Sequence, residues 1–342
     1  MKRRWFRICL IVTSALLVVY LLGPKPATPT YPKHMPAVPQ QPDSLDAYIR
    51  HREAALPVKP DNEARIVWAD SLHEKTPFSI VYLHGFSASQ EEGNPVHREV
   101  AKVFHCNLYL SRLDQHGLRS DSPLLHMTAE GLWADAQEAL AIGKAIGEKV
   151  VIISTSTGGT LALKLAAEYP DDVYALVNMS PNIAINDKFA FLANNHWGLQ
   201  LARLITGGDY REGHDTNAIR NRYWNNRYRL EAVVQLEELL ETTMTKETFA
   251  KVKQPVLNLY YYKDEQHQDP TVKVSAILAM EKQLGTPPGQ KAAIPIPGAG
   301  AHVLGSWLTS NAVPDVLRTI DSFAVTVLHM RLGKRVYYVS NL

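Results

Sequence analysis

The segment Val150-Val151-Ile152-Ile153-Ser154-Thr155-Ser156-Thr157-Gly158-Gly159-Thr160-Leu161-Ala162-Leu163-Lys164-Leu165-Ala166 decides the fold. It reads as a short apolar strand, a turn of small residues with Ser156 at its apex, and a helix start. A serine hydroxyl is a poor nucleophile in water. A sharp strand-to-helix turn lifts it clear of the sheet and sets it beside the N–H groups of a helix N-terminus. Such a turn crowds its flanks, so small residues are needed on both sides. Gly158 fills one flanking position and Ser154 the other, where glycine is usual.

Outward from this turn, apolar runs alternate with helical patterns. Strands are expected at Arg65–Trp68, Phe78–Leu83, Asn107–Leu110, Val150–Ser154, Tyr174–Met179, Val256–Tyr261 and Ala292–Ile296. Near-continuous apolar runs suit strands buried on both faces of a parallel sheet. Ala129–Ile146 repeats its apolar residues at the helical period, and Ala312–Met330 predicts a C-terminal helix. The order predicts an α/β fold with a mostly parallel, doubly wound sheet. About 75 residues between Ser180 and Pro255 break the alternation. A structureless loop of that length is improbable, so a helical cap is expected at about 186–250. Its aromatics Trp197, Tyr223, Trp224 and Tyr228 are candidates for pocket lining or for packing. Glu237, Glu238 and Glu241 on the Leu230–Thr242 helix read as a solvated face.

The N-terminus carries a separate signal. Lys2, Arg3, Arg4 and Arg7 precede an uncharged apolar run from Ile8 to Leu22. That is a basic flank and a hydrophobic segment without a clean cleavage site, so residues 1–22 are expected to be an uncleaved signal anchor. The positive flank predicts a cytoplasmic N-terminus, with the following domain on the exported, periplasmic or extracellular side. Prolines 24, 26, 29, 32, 36, 39 and 42 then forbid helix. Residues 23–42 are expected to be an extended, semi-rigid stalk, with the folded domain at 43–342. Of the two cysteines, Cys9 lies in the apolar run and Cys106 opens a core strand, so no disulfide framework is implied. A net charge of +2 gives no reason to expect nucleic acid.

A hydroxyl nucleophile needs a base and a group that orients the base. Asp264 follows the Val256–Tyr261 strand, and His302 follows the last strand. Both stand at strand C-terminal ends, so nucleophile, acid and base converge on one sheet edge. Glu265 is a rival acid. An oxyanion hole needs two backbone N–H groups, expected at Thr157 and at Phe86 in His84-Gly85-Phe86. The cluster Asp264, Glu265, His267 and Asp269 has no metal-ligand spacing, and neither metal nor cofactor is expected.

These pieces, with Leu113-Asp114-Gln115-His116-Gly117, resemble α/β-hydrolases of the carboxylesterase, monoglyceride lipase and serine aminopeptidase type over about Ile66 to Met330. Gln115 replaces a glycine of that family's loop. The resemblance implies that Ser156 attacks an acyl carbon, His302 takes its proton and Asp264 holds the imidazole. The Phe86 and Thr157 amides would then stabilise the oxyanion. Together with the N-terminal anchor, it implies a membrane-tethered serine hydrolase acting on small-molecule or lipid esters. An exported aminopeptidase, an acyl transferase and a catalytically silent binding module are the other readings.

Overall fold

The computed structural model describes residues 2–213 and 215–332; the last positions of the expected domain, 333–342, lie outside the described residues, as do Met1 and His214. Seven strands form the central sheet: β1 (Arg65–Val67), β2 (Thr76–Leu83), β3 (Asn107–Leu110), β4 (Gly147–Thr155), β5 (Val173–Met179), β8 (Val256–Tyr260) and β9 (Lys291–Pro295). Their order is β1-β3-β2-β4-β5-β8-β9, and only β1 runs antiparallel to its neighbour. Between β5 and β8, a two-stranded antiparallel ribbon joins β6 (Tyr210–Glu212) to β7 (Arg227–Arg229).

The helices are α1 (Lys2–Leu21), α2 (Pro42–Ala54), α3 (Val96–Phe104), α4 (Ala129–Ile146), α5 (Thr157–Glu168), α6 (Gly198–Thr206), α7 (Ala218–Tyr223), α8 (Leu230–Thr243), α9 (Lys246–Lys251), α10 (Val274–Gln283) and α11 (Val313–Thr326). Strand residues alternate between two apolar layers. Val81, Leu83 and Ile152 face Leu132, Leu140, Leu161 and Leu165 of α4 and α5. Ile80, Tyr82, Val151 and Ile153 face Val100, Phe104, Ile320 and Phe323 of α3 and α11. Burial on both faces is why these strands are continuous apolar runs. Cys106 lies in the second layer, where burial pushes its thiol up to about 12.

The segment between β5 and β8 is mainly helical, as expected, but its ribbon β6–β7 was not. Glu237 and Glu238 are buried on α8 rather than solvated, while Glu241 is exposed as expected, and burial, with Glu241 nearby, raises Glu237 to about 7. The proline-rich stretch contains no helix before Pro42, which opens α2, and it is not a stalk standing clear of the domain. The Tyr31 hydroxyl meets Thr242 Oγ1 at 2.7 Å. The Trp133 indole and the Gln137 amide both donate to the Pro32 carbonyl. Tyr31, Met35 and Val38 pack on the core, so the stretch straps across α4 and α8. Burying three apolar side chains outweighs leaving them in water, because each CH2 removed from water contributes about 0.8 kcal/mol. α1 is 20 residues with none buried, long and apolar enough to cross a membrane.

Candidate active site

Ser156 is the single residue between the end of β4 and the start of α5, with φ 53° and ψ −117°. A non-glycine residue on this side of backbone space costs about 1–3 kcal/mol and persists only where its surroundings over-determine it. Here they do. Ser156 N–H donates to Met179 O at 3.0 Å, while Ser156 O accepts from Gly159 N at 2.8 Å and Asn182 N at 2.9 Å. A Cβ on Gly158 would lie 2.0 Å from Leu83 O, so this flank admits only glycine. The other flank tolerates Ser154 because its Oγ turns away and donates to Asn178 Oδ1 at 2.8 Å. Asn178 in turn donates to Asn258 and Asn258 to Glu281, a polar chain running from β4 through β5 and β8.

The loop after β2 borders the serine. A Cβ on Gly85 would stand 3.0 Å from Ser156 Cβ, which brings the His84-Gly85-Phe86 backbone against Ser156. Two buried histidines fix this loop to the 113–117 segment. Leu113 N–H donates to His84 Nε2 at 3.1 Å, and Ser87 N–H donates to His116 Nε2 at 3.0 Å. Each ring therefore accepts through Nε2 and donates through Nδ1, to Gly85 O and Asp114 O respectively. Both are held neutral: burial, with His116 nearby, lowers His84 well below its ordinary value, and burial lowers His116 to about 4. Gln115 adopts φ 61°, the left-handed conformation that glycine would take without strain.

The loop after β8 does not bring the expected acid, Asp264, to His302. Tyr262 pairs with Gln268, and Asp269 N–H donates to Tyr261 O at 3.0 Å, folding the chain back on itself. Asp264 is left at the exposed tip. Its side chain is half-exposed and spends Oδ1 on Gln266 N, His267 N and His267 Nδ1. Glu265 is exposed beside it, bonded to Tyr262 and Gln268. Asp269, brought level with the strand end, is fully buried and meets His302: Nδ1 to Oδ2 is 2.7 Å. Its Oδ1 accepts from Thr271 N and Val272 N.

Burial opposes both charges of this pair, but each partner's field and the bond between them win, so Asp269 is lowered and His302 raised from their ordinary values. A carboxylate can only accept, so His302 Nδ1 carries the proton and Nε2 is left as the basic nitrogen. The histidine loop lies at the same corner as the serine, since a Cβ on Gly305 would touch Met179, whose carbonyl holds Ser156 N–H.

Glu92 was not singled out from the sequence, where Gln90-Glu91-Glu92 looks like a surface run. It is buried, accepts a 2.5 Å bond from Gly85 N–H, and comes within 3.0 Å of the position a Gly85 Cβ would take, as Ser156 Cβ does. Burial raises its carboxyl to about 7, against the Gly85 N–H, the His302 charge, Tyr82 and Trp224. It also contributes to raising His302. Only the fold brings Glu92 inward. A sequence signal for Asp269 did exist: it precedes Pro270, which holds it extended and leaves the next two N–H groups to turn back onto its carboxylate.

The cap closes over the loop after β2. Asn225 N–H donates to Ser87 O at 2.8 Å, and the rings of Phe86 and Tyr228 meet edge-on at 5.0 Å. A cleft of about 320 Å³ opens there, lined by Ser87, Trp224, Asn225, Tyr228 and Thr309 among others. Trp224 and Tyr228 thus line this cleft beside the loop after β2, whereas Trp197 is half-exposed against the end of α1.

The serine aminopeptidase S33 family matches residues 78–266, more than half of the chain. The chain belongs to that family. It is a serine hydrolase of the α/β-hydrolase fold, esterase- and lipase-like in its architecture. Among solved structures it is similar to one from work on LipS and LipT, two metagenome-derived lipolytic enzymes (TM-score 0.62, 16% identity, covering 78% of this chain and 98% of that one). It is similar to a monoacylglycerol lipase of Paleococcus ferrophilus (0.56, 16%, 77% and 97%). It is also similar to a soluble variant of monoglyceride lipase from Saccharomyces cerevisiae in complex with a substrate analogue (0.58, 11%, 79% and 92%). No curated protein matches the chain.

Proposed function

We propose that the protein is a membrane-anchored hydrolase of carboxylic esters, acyl-glycerols included, working through Ser156, His302 and Asp269. The observation that carries this reading is the 2.7 Å bond from His302 Nδ1 to the buried Asp269 carboxylate, at the corner where the strained Ser156 turn ends β4. Asp269 fixes the tautomer, so His302 Nε2 takes the proton as Ser156 Oγ attacks the acyl carbon. The N–H groups of Phe86 and Thr157 are the oxyanion donors, one from the loop beside Ser156 and one from the start of α5. The protonated Nε2 then gives its proton to the leaving alcohol. Water, deprotonated by the same nitrogen, attacks the acyl-enzyme and releases the acid.

In this reading α1 is an uncleaved anchor, its basic end cytoplasmic and the catalytic domain exported. The ester reading is preferred to an amine-recognising aminopeptidase because Glu237 and Glu238 are buried in α8, and Glu241, the exposed member of the cluster, accepts from Asn194 Nδ2. The test is labelling of the folded chain by a fluorophosphonate, with turnover of p-nitrophenyl esters compared with aminoacyl anilides. Labelling at Ser156 with preferred ester turnover is expected. Preferred anilide turnover would move the assignment to a peptidase, and no labelling would end the catalytic reading.

A further inference from the structure

Cap helix α6 is amphipathic with its apolar side turned outward. Trp197, Leu201, Leu204 and Ile205 recur at intervals of four, three and one, which places them on one face. Leu204 is 79% and Ile205 75% exposed, and Phe189, 69% exposed, and Phe191 precede the helix. Arg203, the charged residue of α6, is turned to the protein side, where it pairs with Asp209 and Glu231. A contiguous apolar surface of this kind is unusual on a soluble face and marks an interaction site.

The end of α1 is fastened to the start of this face. The Trp197 indole donates to Val19 O at 3.0 Å and Trp197 N–H to Pro24 O at 2.9 Å. His196 Nδ1 donates to Gly23 O at 2.7 Å, and its ring meets Tyr20 at 5.3 Å. A 20-residue helix is about 30 Å long, the thickness of a bilayer's hydrocarbon core. Its last turn therefore sits at the membrane surface, and Trp197 at the level where tryptophans concentrate. Lys25 and Lys188 flank the patch with the charge that suits lipid headgroups.

We infer that the outward face of α6, with Phe189 and Phe191, is seated in the lipid interface beside the point where α1 leaves the bilayer, so that the cap rides on the membrane. Its occupant is the lipid surface itself, because the same residues that begin the apolar face hold the end of the spanning helix. This rests on the anchored reading above, and it makes the membrane the source from which an ester would reach the cleft.

The test uses the full chain in phosphatidylcholine–phosphatidylglycerol vesicles, washed with carbonate to establish integration. Cys9→Ser removes the exposed thiol, and Leu204→Cys, Ile205→Cys or Leu72→Cys carries an environment-sensitive fluorophore. Leu72 is exposed in the turn between β1 and β2, at the opposite end of the strands from the cap. Probes at 204 and 205 are expected to be quenched by brominated lipid and to be about threefold or more less quenched by aqueous iodide than the probe at 72, as an interfacial helix requires. Integrated chain with all three probes equally open to iodide overturns the docking and leaves the anchor standing. Chain that washes off in carbonate overturns both. Iodide shielding that fades on dilution in lipid, without lipid quenching, assigns the face to a second copy and overturns the proposal.

Discussion

The loop that follows β8 carries two aspartates in opposite surroundings. Asp264 sits at its exposed tip, bonded to the backbone of its own turn and to the exposed His267. Asp269 sits at its base, fully buried, bonded to His302 and to two backbone N–H groups. Both are lowered from the ordinary carboxylate value, for different reasons: Asp264 by local hydrogen bonds led by His267, Asp269 by the His302 charge and bond working against burial. A depressed carboxyl alone therefore does not mark the carboxylate that meets His302. What separates the two is whether water screens the pair, because a charge interaction worth little at the surface becomes strong once solvent is excluded.

The largest effect expected is outside that pair and sets its scale. Ser156→Ala should lower kcat for an ester by about 10⁴- to 10⁶-fold with an unchanged thermal midpoint, measured by initial rates and melting. Next, Asp269→Asn should cost on the order of 10⁴-fold in kcat, since the asparagine amide presents a donor to Nδ1 and disfavours the working tautomer. Asp264→Asn should change kcat by less than about twofold, because an exposed turn charge has little hold on the site. A large loss in Asp264→Asn with a small one in Asp269→Asn would invert the comparison.

The third effect concerns pH. His302 must be neutral to accept a proton, and its value is raised above 6.5, so activity should rise with pH along a limb whose midpoint lies above 6.5. Glu92→Gln removes one of the carboxylates that raise it and should move that limb to lower pH. A limb that stays in place would show that Asp269 alone sets the base.

The smallest effect is on stability. Glu92 is an acid whose folded value, about 7, exceeds its ordinary 4.5. The folded state then holds a proton that the unfolded chain releases, so this contribution is fully present below pH 4.5 and is lost as pH rises through about 7. Melting of Glu92→Gln should fall less steeply between those pH values than melting of the native chain.

Much of this architecture was legible in the chain. The strands from Arg65 to Met179 were found to within a few residues because burial on both faces demands continuous apolar side chains. Ala129–Ile146 matches α4 at both ends because its period is unbroken and Thr128 caps it. The serine turn was legible because Gly158 and its neighbours answer a steric demand that is local. Other features depend on contacts between distant residues. Asp264 comes first after β8 and reads as the acid, but the return of the loop to Tyr261 O brings Asp269 to His302 instead. Glu92 reads as one of a charged run until β2 and the cap enclose it. The proline segment reads as a free stalk until Tyr31 and Pro32 find α4 and α8.

By itself, then, the sequence determined the order of strands and helices, the Ser156 turn between β4 and α5, and an apolar N-terminal helix, because these depend on period and local sterics along the chain. The tertiary structure alone decided which carboxylate meets His302, which glutamate is drawn under Gly85, and which side of the cap faces out beside α1. Those outcomes depend on which groups lose their water, and desolvation is set by neighbours that are far away in the chain.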